Sequence, residues 1–270
     1  MRVAFQGEAG AYSEQAVYGY FGNVEAVPCE SFDSVFEFVS IRKCETGLIP
    51  IENSLAGSVH QNYDLLLKNS LHITGEYFLR VRHCLIALPG TQKADVKKAL
   101  SHPQALGQCA GYLKTHGIRS EAVFDTAGSV KMLKESGAHD TAAIASRQAA
   151  EIYGMQILDE DIEDNPENYT RFLSIAIGTV KPQGEAKTSI VFILKNQPGS
   201  LFNALRLLAE RNIDMTKIES RPLVGKPWEY LFYIDFIGAT GDALVDGALD
   251  DLDEYALMLR VLGSYSRFKG

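Results

Sequence analysis

The sequence predicts an α/β protein in two parts, a two-lobe region around a cleft and then a ferredoxin-like βαββαβ unit. Three observations carry this. From Arg2 to about Ala145, short apolar runs alternate with helix-spaced patterns, as strands and helices do around a largely parallel sheet. The polar, charge-mixed stretch TVKPQGEAKTS, residues 179–189, then breaks the pattern and reads as a linker. Beyond it the order becomes strand, helix, strand, strand, helix, strand, the split βαβ arrangement.

The first strand is expected at residues 2–6, around the apolar run Val3-Ala4-Phe5, with a glycine-bearing loop leading into a helix. Strands follow at 25–28 and 47–50. The stretch LHITGEYFLRVRHCLIALPG, residues 71–90, is too long for one flat strand, so its 72–88 portion reads as a crossover between two sub-lobes. Strands at 98–101, 121–124 and 141–145 follow. Residues 156–158 and a strand at 171–178 are expected to run back to the first sub-lobe. The sub-lobes are then 1–78 with 156–180, and 79–155. Two lobes joined by two crossings form a hinged cleft suited to a small anionic ligand.

Residues 181–187 are expected to link this region, 1–180, to a final domain, 188–270. Its strands are placed at 189–195, 214–220, 229–238 and 257–265, its helices at 200–211 and 242–255, with a turn-rich loop at Gly225 and Pro227. With both helices on one sheet face, the other face or an edge must find a partner. A homodimer, or a dimer of dimers giving a homotetramer, is the expected assembly.

Composition narrows the function. With 46% hydrophobic and 22% charged residues and a net charge of -8, the chain has the make-up of a globular protein and no basic stripe for nucleic acid. Behind Met1-Arg2 there is no long apolar segment, which implies neither secretory signal nor membrane span and a cytoplasmic location. Cys29, Cys44, Cys84 and Cys109 are scattered, and the six histidines form no helical pair. Reduced thiols are expected, with no metal and no cofactor.

Five stretches hold more small and polar residues than packing needs. In QGEAGAYSEQA, a loop with Gly7 and Gly10 delivers Tyr12 and Ser13 to a helix start, whose N–H groups and dipole suit an anion; Ser13 can equally be a plain N-cap. GLIPIENSLAGSV ends a buried strand in Glu52, Asn53 and Ser54, where polar groups face the ligand crevice of a parallel sheet; Glu52 reads equally as a structural carboxylate. SHPQALGQC places Gln104 and Gln108 one helical turn apart behind Pro103. AAIASRQAA opens a helix at Ser146, a further candidate anion cradle. NPENYTRFLSIAIG sets Thr170, Arg171 and Phe172 where loop becomes strand, a usual place for binding groups, although threonine is also an ordinary strand former.

Taken together, GxxGxYS, IPIENS, HPQALGQC, AIAS and above all NYTRF resemble prephenate dehydratase, and the resemblance runs through the whole chain. NQPGSLFNAL and IESRP are similar to the two signatures of the regulatory ACT domain that follows that catalytic region. The resemblance implies a two-lobe, periplasmic-binding-protein-like catalytic domain and the monofunctional form, as no chorismate mutase segment precedes Met1. It also implies conversion of prephenate to phenylpyruvate, with loss of water and carbon dioxide, for phenylalanine biosynthesis. Arogenate dehydratase, with the amino-acid analogue as substrate, is the near alternative; a non-catalytic amino-acid sensor is the distant one.

By the same resemblance, Thr170 donates a proton or hydrogen bond to the departing hydroxyl, with Asn53 and Gln108 bonding substrate and transition state. Ser13, Glu52, Ser54, Gln104, Ser146, Arg171 and Phe172 are the substrate-binding candidates, Phe172 being favoured as core. L-phenylalanine is the implied feedback effector, held between paired ACT domains by Pro198, Gly199, Ser200, Leu201, Asn203, Ala204, Leu205, Glu219, Ser220 and Arg221. The family pattern reads Gly-Ala-Leu where this chain has Gly199-Ser200-Leu201.

Overall fold

The computed structural model describes residues 1–223, 225 and 229–269; Pro227, in the expected loop, lies outside them. In chain order the elements begin β1 (Arg2–Gln6), α1 (Tyr12–Phe21), β2 (Glu25–Cys29), α2 (Phe32–Ser40), β3 (Thr46–Asn53), β4 (Gly57–Ser58), α3 (His60–Lys68) and β5 (His72–Arg80). They continue with β6 (Cys84–Ala87), β7 (Lys98–Ser101), α4 (Pro103–Gln108), α5 (Ala110–Thr115), β8 (Arg119–Ala122), α6 (Thr126–Ser136), β9 (Thr141–Ala145), α7 (Arg147–Tyr153), β10 (Gln156–Asp159) and β11 (Tyr169–Ala176). The last are β12 (Ala186–Ile193), α8 (Ser200–Ala209), β13 (Met215–Pro222), β14 (Tyr230–Ile237), α9 (Ala243–Tyr255) and β15 (Met258–Ser266).

The chain separates into two compact units, Met1–Tyr63 with Tyr77–Phe172, and Asp64–Glu76 with Leu173–Gly270. In the first, one sheet runs β2-β1-β3-β11-β5, and β1 pairs in parallel with both β2 and β3. Val3, Phe5, Leu48 and Phe172 pack with Ala16 and Val17 of α1. A second sheet runs β10-β6-β9-β7-β8. Strand β9 explains its architecture: Ala142 and Ile144 join Leu106 and Leu113 on one face, while Ala143 and Ala145 join Val130, Leu133 and Ala149 on the other. A strand covered on both faces is apolar nearly throughout rather than alternating, and after Thr141 the run Ala142-Ala143-Ile144-Ala145 is apolar and buried at every position.

One expectation is met here, the crossover at 72–88, and two change. The 72–88 stretch breaks into β5 and β6, which lie in different sheets, and the joining Val81 N–H donates to Asn168 O at 2.7 Å. Residues 156–158 do not return to the first sheet. As β10 they pair antiparallel with β6, satisfying the open edge of that strand, so β11 returns alone. The second sheet is therefore mixed: β7 pairs parallel with β8 and β9, β6 antiparallel with β9 and β10. The strand expected at 121–124 forms two residues earlier as β8, an exposed edge.

The second unit holds a four-stranded sheet in the order β13-β14-β12-β15. Ile190, Phe192, Ile234 and Phe236 project toward α8 and α9 and meet Ala204, Leu208, Val245, Ala248 and Leu252. Strand β12 starts at Ala186, inside the stretch expected as linker. Its Lys187 is buried with Glu76, the ammonium 2.8 Å from both carboxylate oxygens.

Candidate active site

A cavity of about 620 Å3 opens in the first unit, lined by residues from both of its sheets' loops and helices. The first sheet's side supplies Ser13 from α1, Asn53 from the end of β3, and Thr170 and Phe172 from β11; α4 supplies Gln104 and Gln108. Six sequence-predicted residues thus share one space. Helix α4 is aimed there by its capping, with Pro103 in the first turn and His102 Nδ1 accepting from Gln104 N–H at 3.2 Å.

Asn53 is the structural hub. It is buried, and its Oδ1 accepts from Leu55 N–H at 3.0 Å and Ala56 N–H at 2.9 Å. Its Nδ2 reaches Asn168 Oδ1 at 2.8 Å, Thr170 Oγ1 at 3.0 Å and Tyr169 O at 3.1 Å. A hydroxyl that accepts from an amide keeps its own proton to give. Thr170, half-buried on the cavity wall, is therefore oriented as a donor.

Sequence reasoning missed His83. It lies in the three residues between β5 and β6, is 1% exposed, and lines the cavity. Its Nε2 is 2.8 Å from Gln108 Oε1, its Nδ1 is 2.8 Å from the Tyr12 hydroxyl, and its backbone N–H donates to Glu163 at 2.9 Å. Burial pushes the imidazole below its ordinary value, against the Gln108 hydrogen bond and the Glu163 charge. Burial likewise holds the Tyr12 phenol well above its usual value, aided by Cys84, Cys109 and Glu163. The available signal was a polar residue inside an apolar crossover, which marks no function until the two chain crossings are brought together.

Most of the other candidates are engaged elsewhere, Ser13 and Phe172 being on the cavity wall. Ser13 caps nothing, since Ala11 is the N-cap of α1 and no side chain closes it. The nearby Gly10 N–H is taken by Glu14 Oε2 at 2.7 Å. Ser146 is buried, caps α7 through Ala149 N–H and donates to Gly10 O at 2.7 Å, a structural clasp rather than an anion cradle. Ser54 donates to Glu167 O at 2.7 Å and accepts from Tyr169 N–H at 2.9 Å, closing the loop before β11. Arg171 is 4% exposed and pairs with Glu52 at 3.3 Å. None of Ser146, Ser54, Arg171 and Glu52 lines the cavity. Phe172 does, yet it is 2% exposed and packs with the core. Cys109 is fully buried and its thiol pushed far up by desolvation, the opposite of a reactive cysteine.

In the second unit, Gly199 takes the left-handed conformation (φ 82°) at the N-cap of α8, after Pro198. Ser200 is buried, Ala204 belongs to the core of that unit, and Leu201 and Leu205 are half-buried against it. Asn203 N–H donates to Gly199 O at 2.9 Å. Glu219, Ser220 and Arg221 lie along the edge strand β13, with the Arg221 guanidinium on both Asp64 oxygens at 2.9 and 3.1 Å.

The family model described as "Prephenate dehydratase" matches residues 3–179, and that described as "ACT domain" matches residues 188–254. The chain belongs to the prephenate dehydratase family. Among other prephenate dehydratase relatives, an Arabidopsis thaliana protein named "Arogenate dehydratase/prephenate dehydratase 2, chloroplastic" is 49% identical over 98% of this chain and 72% of its own length. The structure of a prephenate dehydratase in complex with L-Phe from Arthrobacter aurescens superposes with a TM-score of 0.91 at 31% identity, covering 99% of this chain and 90% of that one. That of GqqA, described as a novel type of quorum quenching acylases, gives a TM-score of 0.92 at 34% identity over 99% and 98%.

The cytoplasmic expectation is overturned by relatives whose own names place them in the chloroplast. That expectation rested on the lack of an apolar leader. Plastid-directing segments are amphipathic and rich in arginine and serine rather than apolar, so this lack says nothing about them.

Proposed function

We propose that this prephenate dehydratase family enzyme carries out decarboxylative dehydration in the cavity around Thr170, with prephenate as substrate and phenylpyruvate as product. The observation that carries the assignment to this cavity is Asn53 bonded to Thr170 on a wall shared with Gln108. In the reaction the bond from the ring to its carboxylate breaks, releasing carbon dioxide. Its electron pair enters the ring, the ring C–O bond breaks, and the departing hydroxyl takes up one proton to leave as water. The chain must therefore donate a hydrogen bond, or a proton, at one oxygen and hold two carboxylates in place. Thr170 Oγ1–H serves the departing oxygen, Gln108 NH2 the transition state and Ser13 a carboxylate.

Arogenate remains the second reading, since the Arabidopsis relative's name carries both activities. It differs from prephenate in bearing an ammonium where prephenate has a keto group. An acylase reading is less well supported. Nucleophilic acyl transfer wants a base bonded to the nucleophile, and both ring nitrogens of His83 are engaged by Tyr12 and Gln108.

We infer further that L-phenylalanine is a feedback inhibitor bound at the ACT domain, with Gly199 to Leu201 and Glu219 to Arg221 as its contact segments, in a homodimer or dimer of dimers. An effector shifts only an equilibrium whose states it binds differently. The test is turnover of prephenate and of arogenate, each with and without L-phenylalanine, together with light scattering for mass. Activity on neither substrate sinks the catalytic reading, and indifference to L-phenylalanine sinks the regulatory one.

A further inference from the structure

The hydrogen bonds around His83 obey a proton count. Gln108 Oε1 has no hydrogen to give, so the 2.8 Å contact requires one on His83 Nε2. In the neutral ring Nδ1 is then an acceptor, and the Tyr12 hydroxyl at 2.8 Å must donate to it. In the charged ring Nδ1–H donates to the Tyr12 oxygen, and the hydroxyl turns to Arg82 O at 2.7 Å. The Nε2–H bond to Gln108 survives in both states; only the Tyr12 hydroxyl switches acceptor.

A glutamine amide can present either its oxygen or its NH2 to a ligand. Anchoring the oxygen on His83 leaves the NH2 as the face available to the cavity that Gln108 lines. We propose that His83 is a positioning residue, a buried imidazole that pins the Gln108 oxygen so that the amide meets the anionic substrate and its departing hydroxyl with donors. This rests on the functional reading above. The pin is itself held: the His83 N–H is fixed by Glu163 at 2.9 Å, and the Tyr12 and His83 rings pack edge to face at 5.5 Å. Such anchoring matters because a reacting group displaced by about 1 Å costs on the order of 100-fold in rate.

Nitrogen NMR of the full chain labelled at histidine tests the pin without any substrate. The expected spectrum has His83 protonated at Nε2, and a neutral ring protonated at Nδ1 overturns the proposal. Kinetics then ask whether His83 acts through Gln108. His83→Phe is expected to lower kcat by about 10- to 100-fold in the unmodified enzyme. In a Gln108→Ala background the same change is expected to cost less than about 3-fold, because nothing remains to be positioned. Equal losses in both backgrounds would reduce His83 to packing and refute the inference. An unmodified protein inactive on both substrates refutes the catalytic reading instead, while the spectrum still judges the bond.

Discussion

Replacing Thr170 by valine removes a single oxygen and keeps a β-branched side chain of nearly the same shape on β11. Two costs can be separated. For folding, Thr170 Oγ1 is one of three acceptors of Asn53 Nδ2, and Asn168 Oδ1 at 2.8 Å and Tyr169 O at 3.1 Å remain. No buried donor is left without a partner, so the loss is that of one shared hydrogen bond, about 1 kcal/mol, or roughly 2–4 °C in melting temperature for a unit of this size. For catalysis, the donor to an oxygen that gains charge disappears, and loss of one such donor costs about 100- to 1,000-fold in kcat. Phenylpyruvate formation, followed by its enolate absorbance in alkali, measures the second cost, and thermal denaturation measures the first. Thr170→Ser should keep much of the activity. A valine variant within 3-fold of the unmodified kcat would refute the role given to the hydroxyl, whatever its stability.

Other consequences follow from single contacts. Lys187→Met removes the counter-charge from the Glu76 carboxylate, whose side chain is 0% exposed and keeps the Phe268 N–H at 3.2 Å, and is expected to destabilise by about 3–5 kcal/mol, whereas changing both residues to Met recovers much of that; urea titrations compare the variants. His83 has a folded-state pKa below its ordinary 6.5, so the unfolded chain binds the extra proton first as pH falls. Its stabilising contribution is complete above pH 6.5 and declines below it, and melting temperature should show a shallower acid-side slope in His83→Gln. Gly10→Ala would place a Cβ 2.6 Å from Ala149 Cα at a φ of 88°; the variant should lose about 1–3 kcal/mol and weaken the Ser146 clasp, seen as earlier unfolding.

Much of the fold was legible because its signals are local. The strand at 141–145 was legible as a short run of small and apolar residues, and the βαββαβ order of the last domain followed from the succession of strand and helix patterns. The pairing of β10 was not legible, since alternation says that residues 156–158 form a strand but not which open edge they complete. Of the site, Asn53, Gln108 and Thr170 were read from motifs. Ser54, Ser146 and Arg171 came from the same motifs and proved to be engaged in a loop closure, a helix cap and a buried ion pair. Motif membership marks residues that the fold needs as readily as residues that a ligand needs.

Read by itself, the chain determines its element order, its family and the segments from which the cavity is built, because each depends on neighbours a few residues apart. Only the tertiary structure decided which side chains of those segments meet. Asn53 and Thr170 are 117 residues apart, and His83 reaches Gln108 across 25 and Tyr12 across 71. No local period encodes such distances. They arise when strand pairing satisfies backbone groups and sheets bury their apolar faces, and the polar side chains at the strand ends are brought together as a result.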